Sequence, residues 1–211
     1  MRNSLKLGLD CDVGQRLSRT AALNRTQFSV TELCRQLVFR RSKEVLKMSI
    51  PTHRQCKVEI QNKTSSFTLC EPLVHLISGH CESPLPPTLR PTETGTALFV
   101  KTPDTACGSV AVFTYNILEE SNRYIFRRMA VMFSVPYDFN IYSNWYAVGV
   151  FNKDKLCDED LYKEMYYGEE HSFVRGKASG PSLTYKAGFD TIRVSMSDSY
   201  QPVLKVDLSD Y

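Results

Sequence analysis

Short runs of alternating apolar and polar residues fill the chain after Pro51. Pieces rich in Pro and Gly separate them, including Pro84, Pro91, Gly95 and Gly180. Many short β-rich runs at this spacing are typical of an antiparallel sandwich or barrel. We therefore expect strands near residues 56–61, 73–78, 96–101, 109–115, 123–135, 145–151, 191–197 and 203–208.

One helix is expected inside this β-rich region. Asp158 can act as the N-cap of a helix over residues 159–166, where two acidic residues of the first turn would complement the positive helix end. Such a helix places Tyr162 and Tyr166 on one face, four residues apart, with Tyr167 beside them.

The first fifty residues have a different character. They contain ten Lys or Arg against four Asp or Glu, whereas the remaining residues contain sixteen against nineteen. Residues 30–47 have an imperfect amphipathic pattern that predicts a basic helix. It is either docked on the domain, part of a poorly ordered extension, or membrane-active. The chain thus divides into a basic extension, 1–50, and a β-rich domain, 51–211. The domain has no excess of basic residues, so nucleic acid is not an expected partner.

Catalytic, metal and cofactor sites have little support in the sequence. No phosphate-binding glycine loop or nucleophile elbow occurs, so we do not expect an enzyme. Seven cysteines without a C-x-x-C pair match neither a zinc ribbon nor a closed disulfide framework. No secretory signal is visible at the N-terminus, which leaves a cytoplasmic location open.

Aromatic residues are concentrated between Pro136 and Gly168. This segment holds six of the eleven tyrosines and the single tryptophan. Several of them fall on the expected loop 137–145, where a packed core does not require large rings. Tyr and Trp suit a membrane interface and bind quaternary ammonium groups, so a phosphocholine headgroup is the indicated ligand. The alternative is that these tyrosines simply pack between helix and sheet.

The motifs AVMFSVPYDFNIYSNWYAVGVF (130–151), LYKEMYYGE (161–169) and GSVAVFTY (108–115) carry a family resemblance. They resemble the actinoporins, pore-forming cytolysins of sea anemones, and the actinoporin-like proteins of fish, over about residues 54–208. The resemblance implies an all-β fold: an antiparallel β-sandwich of the cytolysin and lectin type, flanked by two short α-helices. It also implies sphingomyelin recognition through phosphocholine, a homo-oligomer on the membrane, an ion-permeable pore, and secretion, with storage in the nematocyst in anemones.

Site residues follow from the same resemblance, position by position. The implied phosphocholine pocket consists of Ser78, Val110, Ser134, Pro136, Tyr142, Tyr162, Tyr166 and Tyr167. The implied membrane-docking residues are Tyr137, Ile141, Trp145 and Tyr146, with Ile141 standing where anemone members carry Trp. No cofactor is implied. A lectin-like or headgroup-binding module that forms no pore is the alternative for the same sandwich.

The N-terminal segment departs from the family pattern. Nothing before Arg54 aligns with the inserting segment of the toxins, and five basic residues lie between Arg35 and Lys47. Each would be costly at the centre of a bilayer unless it faced water. We therefore expect membrane binding to reside in residues 54–211, and any pore built with this N-terminus to be weak or not cation-selective.

Overall fold

The computed structural model describes residues 54–188 and 190–210. Within these ranges the chain forms two six-stranded sheets and one helix. The expected basic extension 1–50 and its helix 30–47 lie outside the described residues. The elements are β1 (Gln55–Asn62), β2 (Phe67–Ser78), β3 (His80–Ser83), β4 (Thr88–Leu89), β5 (Thr94–Val100), β6 (Ser109–Glu119), β7 (Tyr124–Val135), β8 (Trp145–Asn152), α1 (Glu159–Tyr167), β9 (Phe173–Lys177), β10 (Leu183–Ala187), β11 (Asp190–Met196) and β12 (Val203–Asp210).

The two sheets stack as a sandwich. Sheet one has the strand order β10-β11-β12-β1-β5-β3, and sheet two has the order β4-β2-β6-β7-β8-β9. Neighbouring strands are antiparallel except β1 and β12, which run parallel with Lys57 opposite Val203. This pair is an exception to the expected antiparallel sandwich. β1 and β12 are the first and last strands of the described residues, so no hairpin connects them and requires them to run antiparallel.

The main core lies between the sheets, and strand alternation places it there. Phe113 and Tyr115 of β6 and Phe133 of β7 point inward and are fully buried. Phe99 of β5 reaches across from sheet one, with its ring centroid 5.1 Å from that of Phe133 and 6.3 Å from that of Phe113. The hydroxyl of Tyr115 donates to the carbonyl of Pro86 at 2.7 Å, so this buried polar atom is satisfied.

A second, smaller core covers the outer face of sheet two. Val112, Ala130, Met132 and Ala147 point outward from β6, β7 and β8, and they pack against the buried face of α1. These strands are therefore apolar on both faces. Their sequences accordingly have nearly continuous apolar runs instead of strict alternation.

Helix α1 begins and ends as its sequence predicts. Asp158 has an extended backbone, and its carboxylate accepts a hydrogen bond from the backbone N–H of Leu161 at 3.0 Å. At the other end, the Gly168 N–H donates to the Glu164 carbonyl at 2.8 Å. Among the described residues α1 is the one helix, and none there is long and apolar enough to cross a bilayer.

Every strand predicted from the sequence is present, and four further strands were missed. The missed strands β3, β4, β9 and β10 are the four edge strands of the two sheets. An edge strand has a paired strand on one side only, so its sequence needs no strong apolar pattern. The four-residue strand HCES illustrates this.

The N-cap allows a direct test of the helix. Replacing Asp158 by Ala removes the side-chain acceptor for the Leu161 N–H and should lower the free energy of unfolding by about 1 kcal/mol. Urea unfolding followed by far-UV circular dichroism measures this change. Asp158→Asn keeps an acceptor and serves as the control, so an equal loss in both variants would contradict the capping role.

Candidate functional site

A row of residues crosses sheet two at one end of the sandwich. Directly paired positions on neighbouring strands bring together Ser78 on β2, Val110 on β6, Ser134 on β7, Trp145 on β8 and Lys177 on β9. Paired residues share a face. This face is the one covered by α1, because Val110 and Ser134 lie two residues beyond the helix-covered Val112 and Met132. The row therefore begins where the helix cover ends.

Helix α1 places three tyrosines beside this row. The rings of Tyr162 and Tyr166 stack with their centroids 5.5 Å apart, and the Tyr167 ring meets the Tyr166 ring edge-on at 4.7 Å. Trp145 approaches Tyr166 at 6.4 Å. Tyr162 is buried, Tyr166 is half-buried, and Tyr167 is 75% exposed. The cluster thus extends from the core to the surface.

Ser134 lies in the row beside this cluster and influences two of its hydroxyl groups. Its side chain is a hydrogen-bond partner of both Tyr162 and Tyr166. Burial raises the pKa of Tyr162 well above its usual value, and the Ser134 hydrogen bond lowers it only in part. Burial, and then the neighbouring Tyr167, also raise the pKa of Tyr166. Both hydroxyls are therefore neutral at physiological pH, and that of the half-buried Tyr166 can donate a hydrogen bond to an anion.

The loop between β7 and β8 supplies the exposed part of the site. Ile141 is 71% exposed and Tyr142 is 60% exposed. Asp138 orders the loop: its carboxylate accepts from the Asn140 N–H at 2.9 Å, and its carbonyl accepts from the Tyr142 N–H at 3.0 Å. The loop ends at Trp145, whose ring approaches that of Tyr166, so the loop borders the helix cluster.

Arg54 anchors the start of this loop. Its guanidinium donates to the Tyr137 carbonyl, at 2.9 Å from Nε and 2.6 Å from Nη2, and to the Pro136 carbonyl at 3.2 Å. It also lies against three aromatic rings, 5.3 Å from the centroid of Tyr137, 5.5 Å from Phe139 and 4.4 Å from Tyr200. The Tyr137 ring is thus half-buried and already in contact with a cation. Sequence reasoning missed Arg54 because it directly precedes β1 and belongs to no local motif.

Tyr146 does not belong to the exposed surface, and its expected docking role is wrong. Its side chain is 1% exposed, and its hydroxyl donates to the carbonyl of Pro181 at 3.0 Å. The reason is alternation along β8, which turns Tyr146 into the main core beside Phe133 while its neighbour Trp145 faces outward. Trp145 itself is half-buried and is the first residue of β8, not part of the loop.

The remaining expected residues lie at the margins of the cluster. Ser78 is at the edge of the row, and its hydroxyl donates to the Gly108 carbonyl at 2.9 Å. Val110 is half-buried beside the helix core, and Pro136 begins the loop. A cavity of about 670 Å³ opens elsewhere, between the bulge at Glu71 and the turn at Arg123, and none of the expected site residues lines it.

Two basic residues of β9, Arg175 and Lys177, lie beside the cluster and are not among the residues expected from the sequence. Arg175 donates from Nη1 to the carbonyls of Met165, Tyr166 and Gly168, at 3.3, 2.6 and 3.2 Å. It thereby fixes the end of α1 that carries the tyrosines. Arg175 and Lys177 also approach the Trp145 ring, at 5.9 and 5.3 Å from its centroid.

Taken together, the geometry suits a small group that is both cationic and anionic. The ring faces of the tyrosines attract a quaternary ammonium, and the neutral hydroxyls around Ser134 can donate to a phosphate oxygen. The exposed Ile141 and Tyr142 lie in the loop next to this cluster.

Comparison with known proteins gives short, clear sequence matches to sea anemone toxins. DELTA-stichotoxin-Hcr4b of Radianthus crispa is 41% identical over 66 residues, which is 31% of this chain and 34% of the toxin. DELTA-actitoxin-Aas1a of Anthopleura asiatica is 40% identical over 62 residues, 29% of this chain and 26% of the toxin. The aligned stretches thus span about a quarter to a third of these relatives' own length.

Comparison of structures supports the sandwich fold. The lipid binding protein Nakanori superposes with a TM-score of 0.59 over 88% of this chain and 90% of its own, at 11% sequence identity. At such low identity the likeness concerns the fold alone. The all-β sandwich expected from the sequence is therefore confirmed.

The match to a protein family covers most of the chain. The sequence model of the family described as "Sea anemone cytotoxic protein" matches residues 35–207. This range includes the tyrosine cluster, the loop and the row across sheet two. The resemblance inferred from the motifs is thus confirmed, and the chain belongs to the sea anemone cytotoxic protein family.

Proposed function

We propose that this protein is a pore-forming cytolysin that binds the phosphocholine headgroup of sphingomyelin and oligomerises on the membrane. The observation that carries the proposal is the cluster of Tyr162, Tyr166 and Tyr167 around Ser134, next to the exposed loop residues. Membership of the cytotoxic protein family supports the same activity. The protein binds and permeabilises membranes, and we propose no enzymatic reaction for it.

The headgroup would bind by dividing its two charges between two kinds of partner. The trimethylammonium lies against the ring faces of Tyr142, Tyr166 and Tyr167, where cation–π attraction and apolar contact act together. The phosphate accepts hydrogen bonds from the tyrosine hydroxyls. Tyr162 and Ser134 are buried, so they mainly hold the other rings in position. Val110 and Pro136 form the apolar margin, with Ser78 at the edge.

Docking would bring the end of the sandwich onto the bilayer surface. Ile141 inserts apolar surface, while Tyr142 and the half-buried Trp145 lie at the level of the headgroups. Tyr137 contributes to docking chiefly through the Arg54 contacts that hold the loop. A protein that acts on sphingomyelin of a target cell works outside the producing cell, so we propose secretion. The family match gives no support to the lectin-like alternative.

Removal of two rings tests the pocket. The double variant Tyr142→Ala, Tyr166→Ala should weaken binding to sphingomyelin vesicles by roughly 1–3 kcal/mol, the value of one or two cation–π contacts with their buried area. Vesicle co-sedimentation measures it, and circular dichroism checks the fold. Tyr124→Ala is the matched control, because Tyr124 is 56% exposed but lies at the far end of β7. Unchanged binding in the double variant would remove the pocket assignment.

Arg54 should control the order of the loop. Arg54→Gln loses a charged donor to the Tyr137 carbonyl and the contacts with three rings, so the loop should open more readily. We expect faster hydrogen exchange at the Tyr142 N–H and weaker vesicle binding. The exchange of β6 amides should not change. Lys57→Gln, on the exposed face of β1, is the control, and equal exchange in both variants would refute the anchoring role.

The basic N-terminal segment should determine the ion selectivity of the pore. If residues 30–47 line it, rings of Arg and Lys would repel cations, so the conductance should be weak or not cation-selective. Reversal potentials in planar sphingomyelin bilayers measure this. Robust cation-selective channels that vanish when residues 1–47 are deleted would contradict the prediction.

A further inference from the structure

Two basic side chains of β9 project over the same aromatic ring. Arg175 and Lys177 are two residues apart on one strand, so they share the face that carries Ser134 and Trp145. Both cations lie within 6 Å of the Trp145 ring centroid, at 5.9 and 5.3 Å. Like charges this close repel each other. An anion bound beside them would relieve that repulsion.

The two cations differ in their other contacts. Arg175 is held at the end of α1 by the carbonyls of Met165, Tyr166 and Gly168. Lys177 is exposed and forms no salt bridge with any residue of 54–188 and 190–210. Its ammonium group therefore keeps its donors available for a ligand from solution, whereas Arg175 has a structural role.

Hydrogen bonds hold the backbone around Lys177 against the loop between β7 and β8. The Ala178 N–H donates to the carbonyl of Asn144 at 3.0 Å, and the Gly180 N–H donates to the carbonyl of Lys177 at 2.9 Å. The Tyr146 hydroxyl holds the same turn through Pro181. Lys177 thus stands at a defined position at the end of the row that begins at Ser78.

We propose that Lys177 binds the phosphate of a second, anionic phospholipid next to the phosphocholine site. The inference rests on the proposed function, because it assumes that this end of the sandwich faces the bilayer. Lys177 is two strands away from Ser134 in the row, about 10 Å at the usual strand spacing, and its ammonium lies over Trp145. One phosphate held by the tyrosine hydroxyls would therefore leave Lys177 available to a neighbouring lipid.

The consequence is a preference for membranes that contain both choline and anionic lipids. The tyrosine cluster would recognise the choline lipid by its ammonium group. Lys177 would add electrostatic attraction that does not depend on choline, worth about fivefold in affinity for one basic residue near an anionic surface. This attraction should weaken as salt concentration rises, whereas aromatic binding of choline should change less.

Vesicle binding of the full-length chain tests the proposal. Vesicles of sphingomyelin and phosphatidylcholine are compared with vesicles that also contain phosphatidylserine. Lys177→Gln should lose about fivefold in affinity for the serine-containing vesicles and keep its affinity for the neutral ones. The matched control is Lys205→Gln. Lys205 is an exposed lysine of β12 in sheet one, 4.0 Å from Glu59, and its loss should leave both affinities nearly unchanged.

Two further arms separate the outcomes. Inorganic phosphate added at low millimolar concentration should not displace the protein from serine-containing vesicles. Displacement would show that the site binds free phosphate without a lipid surface, and this result would contradict the proposal. The proposal is overturned if Lys177→Gln and Lys205→Gln lose affinity equally, or if phosphatidylserine does not strengthen wild-type binding. Failure of the phosphocholine pocket is distinguishable, because it appears as equal binding of the wild type and the Tyr142→Ala, Tyr166→Ala variant to neutral vesicles.

Discussion

The burial of both faces of the central strands of sheet two is the constraint on which the rest of the structure depends. β6, β7 and β8 turn one apolar face toward sheet one and another toward α1. Without the helix, Val112, Met132 and Ala147 would be exposed to water, at a cost proportional to their apolar area. The helix must therefore sit against these strands. Its last turn then falls above the row that contains Ser134.

The helix is held where its tyrosines meet that row. Leu161 and Met165 secure its buried face, and Arg175 binds the carbonyls of its last turn. Burial raises the pKa of the Tyr162 hydroxyl, and the hydrogen bond with Ser134 lowers it only in part. The contacts that pack the helix on the sheet therefore also hold the tyrosines of the candidate site in position.

Local patterns in the sequence were enough to predict the interior strands of both sheets and the capped helix, because apolar runs, alternation and an N-cap are local signals. The edge strands β3, β4 and β9 carry no such signal, whereas β10 (LTYKA) alternates but is only five residues long. The error at Tyr146 has a related cause: the motif places it beside Trp145, but only the start of β8 decides which of the two faces the core. Arg54 was missed for a different reason. It contacts a loop 82 residues away in the sequence, and a local sequence pattern cannot predict a contact between such distant residues.

The tyrosine-rich segment admitted two interpretations, packing between helix and sheet or recognition of a ligand, and the structure makes them compatible. Exposure of the tyrosine side chains increases along α1, from the buried Tyr162 through the half-buried Tyr166 to the exposed Tyr167. A ring that is fixed on one side and open on the other loses little conformational entropy when a ligand binds. The packed tyrosine is therefore what makes its exposed neighbours suitable for binding. For this reason a residue such as Tyr166, which contacts Tyr162, Tyr167 and Trp145 at once, connects the core with the exposed end of the cluster.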